Sequence, residues 1–121
     1  MPVVELTKDN FEQTVTGHDF IIVDYWAPWC GPCRSFMPVF EKVAQDHPEI
    51  LFAKVNTEEE QEIASQFNIG SVPTLMILRE RIIVYNKAGA LPEPALRELI
   101  ARAAALDMEE ARKQVGDAAG G

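Results

Sequence analysis

The chain has 121 residues, 47% hydrophobic and 25% charged, with 19 acidic side chains against 11 basic ones and a formal net charge of −8. That length fits one domain on a single core; no apolar run is long enough for a membrane span, and Met1-Pro2-Val3-Val4-Glu5 lacks the basic-then-apolar pattern of a signal segment. The acidic balance argues against a nucleic-acid partner, because phosphates are held by lysine and arginine in excess, and the expectation is a soluble cytoplasmic protein.

Val3-Val4-Glu5-Leu6 reads as a short strand, followed by Thr7 or Asp9 as a helix cap and by Phe11 and Val15 one turn apart. After Gly17-His18-Asp19 breaks the pattern, Phe20 to Trp26 is a nearly unbroken run of apolar, β-branched and aromatic residues, the composition of a central strand covered on both faces. Asp24 sits in its middle. A buried carboxyl is costly unless satisfied or used, and burial raises its pKa. Two readings stand: a carboxyl hydrogen-bonded to backbone, or one that moves a proton.

Trp29-Cys30-Gly31-Pro32-Cys33 holds both cysteines. Zinc on two thiolates needs two further ligands, and only His18 and His47 remain, isolated on opposite sides of the motif, so no metal site is expected. Gly31-Pro32 is a turn-and-helix-start dipeptide that places Cys30 at a helix N-terminus. There, unpaired N–H groups and the positive end of the helix dipole favour the thiolate, which is the nucleophile. Cys33, Phe36, Met37, Phe40, Val43 and Ala44 recur at helical spacing, which puts Cys33 on the buried side. A lone pair in a cytoplasmic chain is expected to be catalytic rather than a structural staple, with Cys30 as the attacking sulfur.

Leu51 to Asn56 is the next strand, interrupted by Lys54, which as a surface residue would simply be solvated. Thr57 with Glu60 has the form of a capping box and predicts a helix start, with Ile63, Ala64 and Phe67 buried and Asn68 or Gly70 ending it in a left-handed conformation. Val72-Pro73-Thr74 precedes the strand Leu75-Met76-Ile77-Leu78, and Ile82-Ile83-Val84-Tyr85 follows so soon that a hairpin is expected. Gly89 reads as a turn glycine. Pro92-Glu93-Pro94 opens a helix with a stripe of Leu96, Leu99, Ile100 and Ala103. The later stripe Met108, Ala111 and Val115 is rotated from it by about a quarter-turn or more, so one straight helix cannot bury both. Asp107 and Glu110 form a capping-type pair that predicts a second short helix, and residues 116–121 are expected to fray.

The run Val23-Asp24-Tyr25-Trp26-Ala27-Pro28-Trp29-Cys30-Gly31-Pro32-Cys33, then Pro38, then Val72-Pro73-Thr74, resembles the thioredoxin family over residues 3–104. The resemblance implies a three-layer α/β/α thioredoxin fold with a central mixed β-sheet in residues 1–105. Residues 106–121 would then be a C-terminal extension with a short extra helix. It implies a redox-active Cys30–Cys33 disulfide in which Cys33 resolves and Asp24 assists its deprotonation. Gly31, Pro32, Trp26, Lys54 and Pro73 are in support, and Trp29, Val72, Pro73 and Gly89 form a groove for an extended peptide. It implies a cis Val72-Pro73 bond where sequence alone gives trans as the default. The implied activity is protein-disulfide reduction by a monomer with no bound cofactor. Electrons come from NADPH through a separate thioredoxin reductase, and disulfide-containing proteins are the clients. Gly-Pro between the cysteines leans toward a reductant; an oxidant or isomerase on the same fold, or a peptide-binding module, are the alternatives. The chain departs from the family at Ser71 and at Arg81, positions where glycine is usual, and for the hairpin a wider or strained turn is expected.

Overall fold

The computed structural model describes the backbone of residues 2–120 and the side chains of residues 2–115; the fraying expected of residues 116–121 lies outside the described side chains. Along the chain run β1 (Val3–Glu5), α1 (Phe11–Thr16), β2 (Phe20–Trp26), α2 (Gly31–Gln45), β3 (Leu51–Asn56), α3 (Gln61–Gln66), β4 (Thr74–Arg79), β5 (Ile82–Ala88), α4 (Glu93–Ala104) and α5 (Met108–Gly120).

The apolar run of β2 lies at the centre of a mixed sheet ordered β1-β3-β2-β4-β5, parallel to β3 on one side and antiparallel to β4 on the other. Helices cover both of its faces, which is why neither face could be polar. On one face Ile22, Phe52, Leu75 and Ile77 meet Phe36, Phe40 and Val43 of α2 and Leu96 and Ile100 of α4. On the other, Ile21, Val23, Tyr25, Val55 and Met76 meet Phe11 and Val15 of α1 and Ile63 of α3. Side chains alternate along a strand, so Asp24 and Trp26 share the face of Ile22, and Lys54 shares that of Phe52. Two-residue periodicity alone thus places all three on the side of α2, where the cysteines are.

Local chemistry departs from expectation at α3. Thr57 does not cap it: its hydroxyl donates to the Trp26 carbonyl at 3.0 Å, and Glu60 accepts from the Lys8 N–H at 2.6 Å. Asn56 organises the turn instead, taking the Glu58 and Glu59 N–H groups at 2.9 and 3.4 Å, and the helix begins only at Gln61. At its end Asn68 takes the expected left-handed conformation, φ 59°, while the Ile69 N–H reaches back to the Ala64 carbonyl at 2.9 Å.

Asp107 caps α5, its carboxylate accepting the Glu109 and Glu110 N–H groups at 3.1 Å each. Met108 is buried and Ala111 half-buried, whereas Val115 is exposed, so the apolar stripe docks only at its start. α5 lies against β5, and Arg112 pairs with Glu80 at the tip of the β4–β5 hairpin. That tip is a two-residue turn with Glu80 at φ 52° and Arg81 at φ 68°. The left-handed conformation favours glycine and costs other residues about 1–2 kcal/mol each. The turn is therefore tight and strained rather than wide. Besides Arg112, it is held by the Glu80 N–H bonded to the Asp19 carbonyl at 2.7 Å. Arg81→Gly is expected to raise stability by about 1 kcal/mol. The contact it gives up, Arg81 to Asp19 at 4.0 Å between exposed groups, is worth little. A higher urea midpoint at unchanged slope would bear this out, and an unchanged or lower midpoint would remove the strain.

Candidate functional site

β2 delivers the chain to the site. It ends at Trp26, turns through Ala27-Pro28-Trp29 with the Cys30 N–H on the Ala27 carbonyl at 3.1 Å, and enters α2. Cys30 is the cap of that helix, in extended conformation, and its Sγ accepts the Cys33 N–H at 3.2 Å. A sulfur here replaces the usual Ser or Asp cap oxygen, and the N–H aimed at it stabilises negative charge. Cys30 and Cys33 are joined as a disulfide across the first turn, with their Cα atoms 5.2 Å apart. Both residues are buried, Cys30 slightly less completely (4% exposed) than Cys33 (1%).

From the start of β4, Val72 and Pro73 approach the pair. Their peptide bond is cis, as the resemblance implied, and the Val72 carbonyl oxygen lies 3.7 Å from Cys30 Sγ. The Gly89 N–H is bonded to the Pro73 carbonyl at 2.8 Å. Gly89 has φ 116°, and a side chain there would meet nothing within 4 Å, so its backbone conformation is what calls for glycine. Ser71 is exposed, and its carbonyl accepts the Thr74 hydroxyl at 2.8 Å. Beside Cys30 lies a shallow groove of about 140 Å³ bounded by Trp29, Thr57, Ile69, Gly70, Ser71 and Val72. Trp29 is 67% exposed, and its indole N–H donates to the Glu58 carboxylate. Glu58 was not singled out in the sequence; it lies 29 positions away, inside what reads there as a helix start.

Behind the disulfide, Ala27, Trp26 and Val72 pack against the two cysteines. Asp24 is fully buried, and neither carboxyl oxygen has a hydrogen-bond partner among the described residues, so the backbone-satisfied reading of this residue fails. Burial pushes its pKa up to about 7, with the Lys54 charge pulling the other way. Lys54 is its register partner on β3, and Nζ stands 5.6 Å from the centre of the Trp26 ring. The sequence-predicted residues thus fall in two groups: exposed Trp29 and Gly89 with half-buried Val72 and buried Pro73 on the Cys30 side, and Asp24, its register partner Lys54 and Trp26, which packs against the cysteines, on the face of the sheet that α2 covers. Among the described residues no group of three or more His, Cys, Asp or Glu side chains could hold a metal ion.

Two sulfurs that can open and close across one helical turn, on a rim where another chain can approach, are the working part of a thiol–disulfide oxidoreductase. The thioredoxin family profile matches residues 2–102. A relative from Streptomyces coelicolor is 54% identical over 114 residues, 94% of this chain and 85% of its own. Thioredoxin 1 of Nostoc is 42% identical over 98 residues, 79% of this chain and 92% of its own, and the thioredoxin of Bacillus subtilis is 36% identical over 101 residues, 83% and 96%. Among solved structures, a mutant thioredoxin from Halobacterium salinarum superposes with a TM-score of 0.79 at 28% identity, over 87% of this chain and 93% of that one. The chain belongs to the thioredoxin family. α5 lies beyond the residues that the family profile matches.

Proposed function

We propose that the chain reduces disulfides in partner proteins of the cytoplasm and is itself re-reduced, with NADPH as the electron source, by a separate thioredoxin reductase. Residues 1–105 are the redox domain, 106–121 an appended helix, and the working unit is a monomer. In the reduced protein the Cys30 thiolate attacks one sulfur of a client disulfide; an S–S bond forms between Cys30 and the client, and the client's other sulfur leaves as a thiolate. Cys33 then loses its proton to Asp24 and attacks Cys30 Sγ. The client's second thiolate departs and the Cys30–Cys33 bond re-forms, so that two electrons have passed to the client. Clients lie extended along Trp29, Val72, Pro73 and Gly89, with the Val72 backbone free to pair with theirs. Gly31 and Pro32 set the helix start, Trp26 backs the pair, and Lys54 tunes Asp24.

The observation that carries this reading is the Cys33 N–H held on Cys30 Sγ at 3.2 Å, because the same donor stabilises the thiolate once the disulfide opens. Reduction of a disulfide client is expected both with dithiothreitol and with NADPH plus thioredoxin reductase. No turnover with either donor would overturn the reading, and turnover with dithiothreitol alone would remove the reductase from it.

A further inference from the structure

A second concavity, of about 260 Å³, is lined by Trp26, Cys33, Arg34, Met37, Pro38 and Lys54. It shares no lining residue with the groove beside Cys30. Trp26, Met37 and Pro38 give it an apolar wall. Its only charges are Arg34 and Lys54, in a chain where acids outnumber bases 19 to 11. Neither cation joins an ion pair among the described residues. Arg34 spends Nη1 on the Pro28 carbonyl at 2.8 Å, which leaves the rest of its donor fork free, and Lys54 Nζ stands over the Trp26 ring. Asp24, the carboxyl in register with Lys54, is only about half ionised at neutral pH, because burial raises its pKa to about 7.

We propose that this concavity binds a small aromatic carboxylate, its ring against Trp26, Met37 and Pro38 and its carboxylate on Arg34 and Lys54. The volume lies just under the range of about 300–1,000 Å³ typical of drug-sized ligands and suits a single ring. Apolar contact with Trp26, Met37 and Pro38 supplies area, and the two cations supply charge-assisted hydrogen bonds that a neutral ring cannot use. Such an occupant lies against Cys33. Granted the resolving role of Cys33 proposed above, it slows release of the client from the mixed disulfide and leaves the first attack by Cys30 unchanged.

The test uses benzoate on the full-length oxidised protein, followed by amide and indole NMR shifts. Saturable shifts are expected at Trp26, Cys33, Met37 and Lys54, with a dissociation constant of about 1–10 mM. Benzyl alcohol and benzylamine are expected to bind about tenfold more weakly or worse, that being the worth of a charged hydrogen bond. Arg34→Gln with Lys54→Gln should bring benzoate down to the level of benzyl alcohol while the protein stays folded by circular dichroism; Lys54→Gln alone should do part of this. Equal binding of benzoate and benzyl alcohol by the unaltered protein, shifts centred on Trp29 and Val72, or no saturation up to about 50 mM would each overturn the site. Saturable binding with an unchanged rate of client release would overturn its coupling to Cys33. The binding measurement needs no thiol exchange, so its failure is distinct from a failure of the proposed mechanism.

Discussion

Cys33→Ser is expected to trap the protein on its clients as a stable mixed disulfide, with multiple-turnover reduction falling by about two orders of magnitude or more. The substitution leaves Cys30, its position as helix cap and the N–H from residue 33 in place, so the first attack proceeds. What it removes is the sulfur whose Cα stands 5.2 Å from that of Cys30, close enough for intramolecular attack to outrun any thiol arriving from solution. A band that links protein to client on non-reducing electrophoresis, dispersed by dithiothreitol, is the expected readout. Cys30→Ser should give no such band. Free turnover by the Cys33→Ser protein would contradict the division of labour between the two sulfurs.

Asp24→Asn is expected to have the second-largest effect, and on two properties at once. An acid whose pKa rises from 3.8 when unfolded to about 7 when folded holds its proton more tightly in the native state. Below pH 4 both states are protonated and nothing is lost. Between pH 4 and 7 the unfolded chain has released the proton and the folded one has not. Stability therefore falls as pH rises through this window, and above about pH 7 the full penalty of burying the charge is present, of order 4 kcal/mol. Asparagine does not titrate, so denaturant midpoints for the variant and the unaltered protein should agree near pH 4 and diverge up to pH 8, with Asp24→Asn the more stable. The same variant should release client more slowly from the mixed disulfide than the unaltered protein does, because it lacks the carboxyl proposed to take the Cys33 proton. A stability gap independent of pH would mean that the carboxyl is not shifted. Equal slowing of attack and release would remove its part in deprotonating Cys33.

Much of this site was legible in the sequence because its chemistry is local. The cysteine spacing, Gly31-Pro32 at a helix start and an aspartate inside an apolar strand each carry their meaning within a few residues. The same holds for the absence of glycine in the β4–β5 turn, from which strain was expected and found at Glu80 and Arg81. The signals that misled were local as well. Thr57 and Glu60 have the spacing of a capping box, but both are taken by distant partners, Trp26 and Lys8, and tertiary contacts displaced the local motif. The hold of Glu58 on Trp29 and of Arg112 on Glu80 spans 29 and 32 positions, and no periodicity encodes such pairs. Likewise, Asp107 announced a helix, but nothing in its stripe told that Met108 would be buried while Val115 stayed exposed.

β4 begins at Thr74, two residues after the Val72 carbonyl that lies against Cys30, and ends at Arg79, next to the turn that α5 grips. The five steps of extended chain between them span about 17 Å, about twice the distance of about 8 Å over which physiological salt damps a surface charge. Electron exchange at one end is thereby insulated from whatever is fastened to the other: a dye, a resin or a second domain joined along the outer side of α5 would leave the reacting sulfurs as they are.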